Sequence, residues 1–275
     1  MPYPKVTVAV PTLTAGGALA GCLRSLESQT FADFEVVVID NSGISLASQF
    51  VADASPRARL IANPSNAGFG GAVNQAFRSS QAPYLATLND DAAARPGWLE
   101  ALVHEAEAHP RAGMFASQVR MADSGLLDSA GMLIAADGSS KQRGHGREPE
   151  AFAKSDAALL PSGSAALYRR EMLEQIGIFD EDFFLYCEDT DLGLRARWAG
   201  WECRYVARAV VDHRYSHSSG RASPLKAYLV ERNRIYTMLK NFPLRLLVRA
   251  PFASLARYFW HAIFLLRGQG KAAEF

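Results

Sequence analysis

Four short apolar runs recur in the first third of the chain, and they restrict its fold more than any other feature. The runs cover residues 5–10, 34–39, 59–62 and 84–88. Segments with apolar residues at helical spacing separate them, for example Leu19, Cys22, Leu23 and Leu26. The unbroken apolar run at 34–39 is typical of a parallel strand that is covered on both faces. This alternation predicts an α/β fold, a doubly wound and mostly parallel sheet with flanking helices.

Polar residues follow the predicted strands where each strand ends. They are Thr12, Asp40, Asn66 and the triplet Asn89, Asp90 and Asp91. Ligands of doubly wound sheets bind outside the carboxyl ends of the strands. Because four polar strand ends on one edge are an improbable coincidence, we expect a binding site there.

The triplet Asn89–Asp90–Asp91 is the strongest of these signals. Carboxylates at the end of a buried strand repel one another and lose hydration, so a compensating charge is expected. A divalent cation that carries a phosphate ester would supply it, because Mg²⁺ and Mn²⁺ prefer carboxylate and phosphate oxygens. The alternative is a solvated acidic turn.

Composition excludes several classes of protein. Of 275 residues, 49% are apolar and 21% charged, which is ordinary for a globular chain, and the net charge of +1 does not favour nucleic acid. Three cysteines without a CxxC pair fit reduced thiols in the cytoplasm. The first residues lack the apolar run of a signal peptide, and no apolar stretch is long enough for a membrane-spanning helix. We therefore expect a cytoplasmic protein that at most associates with a membrane surface.

Acidic residues gather again at 179–192, where six carboxylates are interleaved with aromatic residues. Such burial is costly unless the carboxylates have partners or a function. Asp189 follows an apolar run and is predicted to lie in a cleft wall, whereas Asp191 is predicted to cap a helix. Two short strands, at 203–206 and 209–211, are expected to lead into His213.

Two further regions have open interpretations. Residues 122–155, with a basic centre at 141–147, predict a mobile loop that closes over an anionic ligand, or else a solvated hairpin tip. Residues 226–240 predict an amphipathic helix. In 242–267, arginines alternate with leucines and aromatic residues, which predicts a helix lying on an anionic membrane surface, or a cap packed on the core or on a second subunit. We expect a domain at 1–225, with halves 1–120 and 121–225, and a helical C-terminal region at 226–275.

Five motifs carry a family resemblance. In order, they are Val6-Thr-Val-Ala-Val-Pro-Thr12, Val36-Val-Val-Ile-Asp-Asn-Ser42, Asn66-Ala-Gly-Phe-Gly-Gly-Ala-Val-Asn74, Leu88-Asn-Asp-Asp91, and Phe179-Asp-Glu-Asp-Phe-Phe with Glu188-Asp-Thr-Asp-Leu192. Over about residues 5–240 the chain resembles the inverting family 2 glycosyltransferases with the GT-A fold, close to the bacterial rhamnosyltransferase branch.

The resemblance implies a nucleotide-diphosphate sugar as the donor. Asp40 would bind the nucleotide base with Thr12 nearby, and Asn66 and Gly68 would face ribose and diphosphate. Asn89, Asp90 and Asp91 match the DxD-type motif, although Asn89 departs from it.

The resemblance also implies a metal and a base. Asp91 would bind Mn²⁺ or Mg²⁺, with His213 as a second ligand and His217 as the alternative. Asp189 would be the catalytic base, with Glu188 beside it, and one displacement would invert the sugar. The first expectation is transfer of rhamnose from dTDP-rhamnose to a cell-surface polysaccharide or lipid-linked glycan. A silent nucleotide-sugar-binding subunit and a nucleotidyltransferase remain alternatives, although the loop at 12–17 lacks the basic residues of the latter. A homo-oligomer is also left open.

Overall fold

The computed structural model describes residues 3–54, 57–214 and 223–267. The strands are β1 (Val6–Thr12), β2 (Phe34–Asp40), β3 (Ala58–Ala62), β4 (Tyr84–Leu88), β5 (Ala92–Ala94), β6 (Ala112–Met121), β7 (Leu127–Ser129), β8 (Met132–Ile134), β9 (Ser140–Gln142), β10 (Asp156–Ala158), β11 (Ala165–Arg169) and β12 (Glu202–His213). The α-helices are α1 (Gly17–Glu27), α2 (Ser48–Ala54), α3 (Gly68–Arg78), α4 (Trp98–Ala108), α5 (Arg170–Ile176), α6 (Glu188–Trp198), α7 (Pro224–Asn241) and α8 (Leu244–Leu266). Two 3₁₀ helices span Pro149–Phe152 and Glu181–Phe183.

Ten of these strands form one mixed sheet, in the order β10-β12-β6-β11-β4-β1-β2-β3, with β5 paired to β12 and β7 to β6. The pairs β3–β2, β2–β1, β1–β4 and β6–β12 are parallel, whereas β11 runs antiparallel to both β4 and β6. Two apolar cores cover the two faces, because the central strands are buried on both sides. The predicted α/β fold with flanking helices and a helical C-terminal region is confirmed.

The strand directions place several chain ends on one edge of the sheet. In the pairing of β1 with β2, Thr12 lies opposite Asp40. Because β11 is antiparallel to β4, Ala165 at its start lies opposite Leu88 at the end of β4. Two antiparallel steps, through β11 and β6, make β12 parallel to β4 again, so β12 also ends at this edge, at His213. The polar strand ends therefore converge as the sequence predicts.

The prediction of two short strands before His213 is wrong, because β12 is one strand with an irregularity. Val206 pairs with Ser117 and Val210 with the next residue, Gln118, so residues 207–209 have no partner in the β6 register. A β-bulge of this kind interrupts the apolar alternation without ending the strand.

The prediction of a mobile loop at 122–155 is also wrong, because this segment forms β7, the β8–β9 hairpin and a 3₁₀ helix. Its Arg143 donates to Asp156 at 2.9 Å and packs against the rings of Phe152 and Tyr205. An arginine that is engaged in this way serves the packing of β10 on β12 rather than the closure of a loop.

The C-terminal region consists of α7 and α8, and Pro251 lies inside α8. None of the helices in the described ranges combines the length and the hydropathy that crossing a bilayer requires. His217 lies outside the described residues, as do residues 268–275 of the predicted C-terminal region.

Candidate active site

The end of β1 is joined directly to the loop after β4. The Thr12 hydroxyl donates to Oδ2 of Asp90 at 2.5 Å, and both residues are buried. Thr12 Oγ1 also accepts a bond from the N–H of Ala15 at 3.3 Å. The structure therefore brings two of the predicted donor-binding residues into one hydrogen-bonded group.

His213 lies between two carboxylates at the end of β12. Its Nε2 is 3.1 Å from Oδ1 of Asp91, and its Nδ1 is 3.0 Å from Oδ2 of Asp128. Burial would lower the pKa of His213, but the hydrogen bonds and charges of Asp128 and Asp91 raise that pKa to about 9. Asp91 and His213, which the sequence predicts as metal ligands, are thus brought together.

Asp128 is a member of this group that the sequence did not indicate. It lies in the three-residue strand β7, is buried, and reaches His213 across 85 positions of sequence. The sequence around Asp128 is rich in Gly, Ser and Asp, so no local pattern distinguishes this buried carboxylate from the solvent-exposed ones near it. Only the pairing of β7 with β6, whose end lies beside His213, brings it here.

The residues at this point fit a divalent cation. Oδ1 of Asp91 is buried and faces the imidazole of His213. In an octahedral ion whose metal–ligand distances are about 2.1 Å, adjacent ligand atoms lie about 3 Å apart. This separation agrees with the 3.1 Å between Oδ1 of Asp91 and Nε2 of His213. No group of three or more His, Cys, Asp or Glu side chains in the described part of the chain is arranged as a complete metal site. Asp91 and His213 therefore fit a cation that takes its other ligands from substrate oxygens and water.

Asp40 shapes the loop after β2. Its Oδ1 accepts from the N–H of Ser42 at 2.8 Å, and its Oδ2 accepts from the N–H of Ala47 at 2.7 Å. The side chain is almost completely buried. A carboxylate has about four acceptor positions, so these two bonds leave capacity for a further donor.

The loop before α3 is attached to the acidic segment before α6. Oδ1 of Asn66 accepts from the N–H of Gly68 at 2.9 Å, and the N–H of Phe69 donates to the carbonyl of Phe184 at 2.8 Å. Gly68 has a φ of +73°, and a Cβ at this position would overlap the carbonyl oxygen of Phe184. Glycine is therefore required both by the left-handed conformation and by the close approach of the two loops.

Asp189 lies in the first turn of α6 and is half-buried. Its Oδ2 accepts from the N–H of Gly163 at 2.8 Å, and its Oδ1 accepts from the Thr190 hydroxyl at 3.2 Å. Burial raises the pKa of Asp189, although these hydrogen bonds oppose the shift. A carboxylate with a raised pKa is a better proton acceptor at neutral pH.

One short loop connects the Asp91 group to Asp189. The N–H of Asn89 donates to the carbonyl of Ser164 at 2.9 Å, and Gly163 donates to Asp189. The loop leads into β11, whose antiparallel pairing with β4 positions it at the strand end. Asn89 itself lies 3.5 Å from Nε2 of His213, measured from its amide nitrogen.

Glu188 is buried beside Asp189 and is poorly satisfied. Within the described residues, its Oε2 has no hydrogen-bond partner. Burial, followed by the charge of Asp189, raises the pKa of Glu188 to about 8. The raised pKa favours the protonated form of Glu188 at neutral pH.

Asn233 of α7 stabilises the loop that precedes these carboxylates. Phe184, Tyr186 and Cys187 all have positive φ, an unfavourable conformation for residues other than glycine. The buried amide nitrogen of Asn233 donates to the carbonyls of Phe183, Leu185 and Tyr186 at 2.7–2.8 Å. This role could not be predicted from the sequence, because an isolated Asn in an amphipathic helix has no distinctive pattern.

The prediction that Asp191 only caps α6 is wrong, because its carboxylate binds side chains of α6 and α7 instead. Asp191 is fully buried, and Arg195 donates to it at 2.8 Å, as does the amide of Asn241. Nζ of Lys240 lies 3.1 Å from its Oδ1. Asp191 therefore links α6 to the end of α7.

Comparison with known proteins identifies the family. The sequence profile of Glycosyl transferase family 2 matches residues 7–177. The chain belongs to glycosyl transferase family 2. It is 32% identical over 246 residues, covering 80% of both chains, to an N-acetylglucosaminyl-diphospho-decaprenol L-rhamnosyltransferase of Mycobacterium tuberculosis. It is also 27% identical to the O-antigen biosynthesis protein RfbC of Myxococcus xanthus, covering 78% of this chain and 18% of that one.

A solved structure supports the fold. A crystal structure of GalNAc-T7 with UDP, GalNAc and Mn²⁺ matches with a TM-score of 0.69 and 12% identity, covering 86% of this chain and 48% of that one. The predicted family, its rhamnosyltransferase-like branch and the GT-A-type fold are thus confirmed, and the chain is a glycosyltransferase that uses a nucleotide-sugar donor.

Gly68→Ala tests the contact between the two loops. The added Cβ overlaps a backbone oxygen and the φ is unfavourable, so we expect a loss of about 2 kcal/mol or more in the free energy of unfolding, measured in urea. Gly21→Ala, in α1 with open space around it, is the matched control and should be neutral or slightly stabilising. Equal effects of the two substitutions would contradict the assigned contact.

Glu188→Gln tests the buried carboxyl. A pKa raised from 4.5 to about 8 stabilises the fold fully below pH 4.5, and that stabilisation is lost as the pH rises through about 8. Replacement by Gln should therefore flatten the pH dependence of the urea midpoint across this range and favour the variant most above pH 8. The exposed Glu148→Gln control should follow the wild-type profile. If the urea midpoints of Glu188→Gln and wild type varied with pH in parallel, the raised pKa of Glu188 would be refuted.

Proposed function

We propose that the protein is an inverting, metal-dependent rhamnosyltransferase that moves rhamnose from dTDP-rhamnose to a hydroxyl of a lipid-linked glycan. The observation that carries this proposal is the 32% identity, over 80% of both chains, to an enzyme named as an N-acetylglucosaminyl-diphospho-decaprenol L-rhamnosyltransferase. A continuous match over 80% of the chain includes the segment of Asp189 as well as that of Asp91, wherever the match begins. It favours an acceptor of the same class, in which the sugar diphosphate is attached to a polyprenol. We place the reaction on the cytoplasmic side of a membrane.

Asp189 is the proposed base. Its Oδ2 is fixed by the Gly163 N–H, and its raised pKa suits proton uptake near neutrality. The carboxylate takes the proton of the acceptor hydroxyl while that oxygen bonds to the anomeric carbon of the donor. The bond from the anomeric carbon to the diphosphate oxygen breaks in the same step, and the electron pair leaves with the diphosphate. One displacement from the opposite side inverts the anomeric configuration.

The donor occupies the edge formed by the strand ends. Asp40 and Thr12 would bind the nucleoside, and the Asn66–Gly68 turn would present backbone N–H groups of α3 to the diphosphate. Asn89 and Asp90 would line the ribose and diphosphate side. The approach of Gly68 to Phe184 means that donor binding and the loop before Asp189 share one surface.

Asp91 and His213 would hold Mn²⁺ or Mg²⁺. The bound cation would neutralise charge that develops on the leaving diphosphate. Asp128 would keep the imidazole of His213 oriented through its Nδ1 contact of 3.0 Å. The 3.1 Å between Oδ1 of Asp91 and Nε2 of His213 supports this assignment, because two ligands of one cation lie at about this separation.

Asp189→Asn separates catalysis from binding. We expect transfer of rhamnose to a polyprenol-diphosphate acceptor, followed by mass spectrometry, to slow by about 10² to 10⁴-fold. The rise in melting temperature caused by dTDP should be unchanged, since the Asp189 carboxylate accepts its hydrogen bonds from Gly163 and Thr190, which are not among the proposed donor-binding residues. Asp182→Asn, an exposed carboxylate of the same acidic segment, should keep the wild-type rate. Undiminished transfer by Asp189→Asn would disprove the base assignment and revive the silent binding subunit.

Metal binding is tested without turnover. In the presence of dTDP, Mn²⁺ should raise the melting temperature of the wild type, and Asp91→Asn should abolish that increment. Asp128→Asn should increase the Mn²⁺ concentration needed for the same rise in melting temperature by about 10- to 100-fold, because the imidazole loses its orienting partner. The exposed Asp53→Asn is the control. A wild type that shows no Mn²⁺ response, or transfer that survives EDTA, would remove the metal from the proposal.

A further inference from the structure

Helix α8 directs a continuous apolar stripe toward solvent. Six large apolar side chains recur at intervals of three, four or seven residues, which places them on one helix face. Their exposed fractions are between 62% and 88%; they are Leu244, Val248, Phe252, Leu255, Phe259 and Leu266. A helix that packs on a protein core normally buries such a stripe, so α8 has the reverse arrangement.

The opposite face of α8 is fixed to the protein by polar contacts. Arg257 donates to Oε1 of Glu231 at 2.6 Å, and the Tyr258 hydroxyl donates to Oε2 of Glu231 at 2.7 Å. Arg234 donates to the Ser254 hydroxyl at 3.1 Å, and Ala250 is buried. These contacts determine the rotation of the helix about its axis. The outward direction of the stripe is therefore built into the fold.

Charge indicates what covers the stripe. Arg245, Arg249 and Arg267 are exposed, and their positions along the helix place them together on one flank of the stripe. Residues 242–267 include no Asp or Glu. A second copy packed symmetrically on this face would bring like charges together, whereas an anionic lipid surface complements them.

We propose that α8 lies in the surface of an anionic bilayer, with the stripe inserted at the boundary between headgroups and acyl chains. The helix is about 34 Å long, so it presents an extended line of contact. Its three flanking arginines bind lipid phosphates. Because polar contacts fix the opposite face of α8 to α7, the helix lies along the surface with one face toward the lipid.

The same contacts connect this surface to the reaction. Glu231 and Arg234, which fix α8, lie on α7 together with Asn233, which binds the loop before Asp189. Membrane docking therefore brings the segment that carries the base to the surface in which a lipid-linked acceptor would be embedded. This last step rests on the proposed function, whereas the docking surface itself does not.

The test is flotation of the full chain with vesicles, without donor or acceptor. Vesicles of phosphatidylcholine alone are compared with vesicles containing equal parts of phosphatidylcholine and phosphatidylglycerol. The stripe variant combines Phe252→Gln, Leu255→Gln and Phe259→Gln. The charge variant combines Arg245→Gln, Arg249→Gln and Arg267→Gln. The matched control replaces exposed apolar residues elsewhere, with Ile44→Gln, Leu46→Gln and Leu133→Gln. Circular dichroism and melting curves verify that each variant is folded.

We expect wild type and control to bind the anionic vesicles and the stripe variant to bind about tenfold or more weakly. The charge variant should bind the anionic vesicles on the order of a hundredfold more weakly, because each of its three missing arginines contributes about fivefold. Equal binding of wild type and stripe variant, or equal binding to neutral and anionic vesicles, would overturn the proposal. The proposal would also be overturned if the wild type did not bind vesicles but sedimented as a dimer, and the stripe variant sedimented as a monomer. Because no sugar substrate is used, a different donor or acceptor would leave this result unaffected.

Discussion

The antiparallel pairing of β11 with β4 is the constraint on which the candidate active site depends. It returns the chain to the edge where β4 ends, so the loop at 162–164 lies between the Asp91 group and Asp189. Two backbone hydrogen bonds, Asn89 to Ser164 and Gly163 to Asp189, then fix the two acidic segments relative to each other. A wholly parallel sheet would need a crossover helix at this position and could not deliver a short loop to the same edge.

Buried charge and backbone strain are concentrated at the start of α6 and in the loop that precedes it, and α7 compensates for much of both. Asn233 donates to three carbonyls of a segment with three positive φ values. Lys240 balances the buried charge of Asp191, and Asn241 donates a hydrogen bond to it. Strain of this kind persists only when neighbouring structure over-determines it. The C-terminal helices are thus part of the support of the site rather than an appendage to it.

Sequence patterns predicted the parallel half of the sheet well, because buried strands and the helices between them have strong periodicity. The convergence of Thr12, Asp40 and the Asn89–Asp91 triplet follows from strand direction alone. Asp128 could not be predicted, since a three-residue strand has no detectable period and its partner His213 is distant in sequence. The order of 122–155 was missed for the same reason: its short strands are stabilised by pairing and by contacts such as Arg143 with Asp156. The roles assigned to Asp40, Asn66 and Asp189 remain predictions.

The irregularity in β12 has a consequence for how this chain can vary. Side chains alternate between the two faces of a strand, so the number of residues at 207–209 determines which face His213 occupies. Asp212, on the other face, pairs with Arg95 instead. A deletion of one residue in this stretch would exchange the two side chains while leaving every residue of the site in the sequence. The length of this stretch is therefore a constraint on the site that is separate from the packing of its buried residues Ala207 and Ala209.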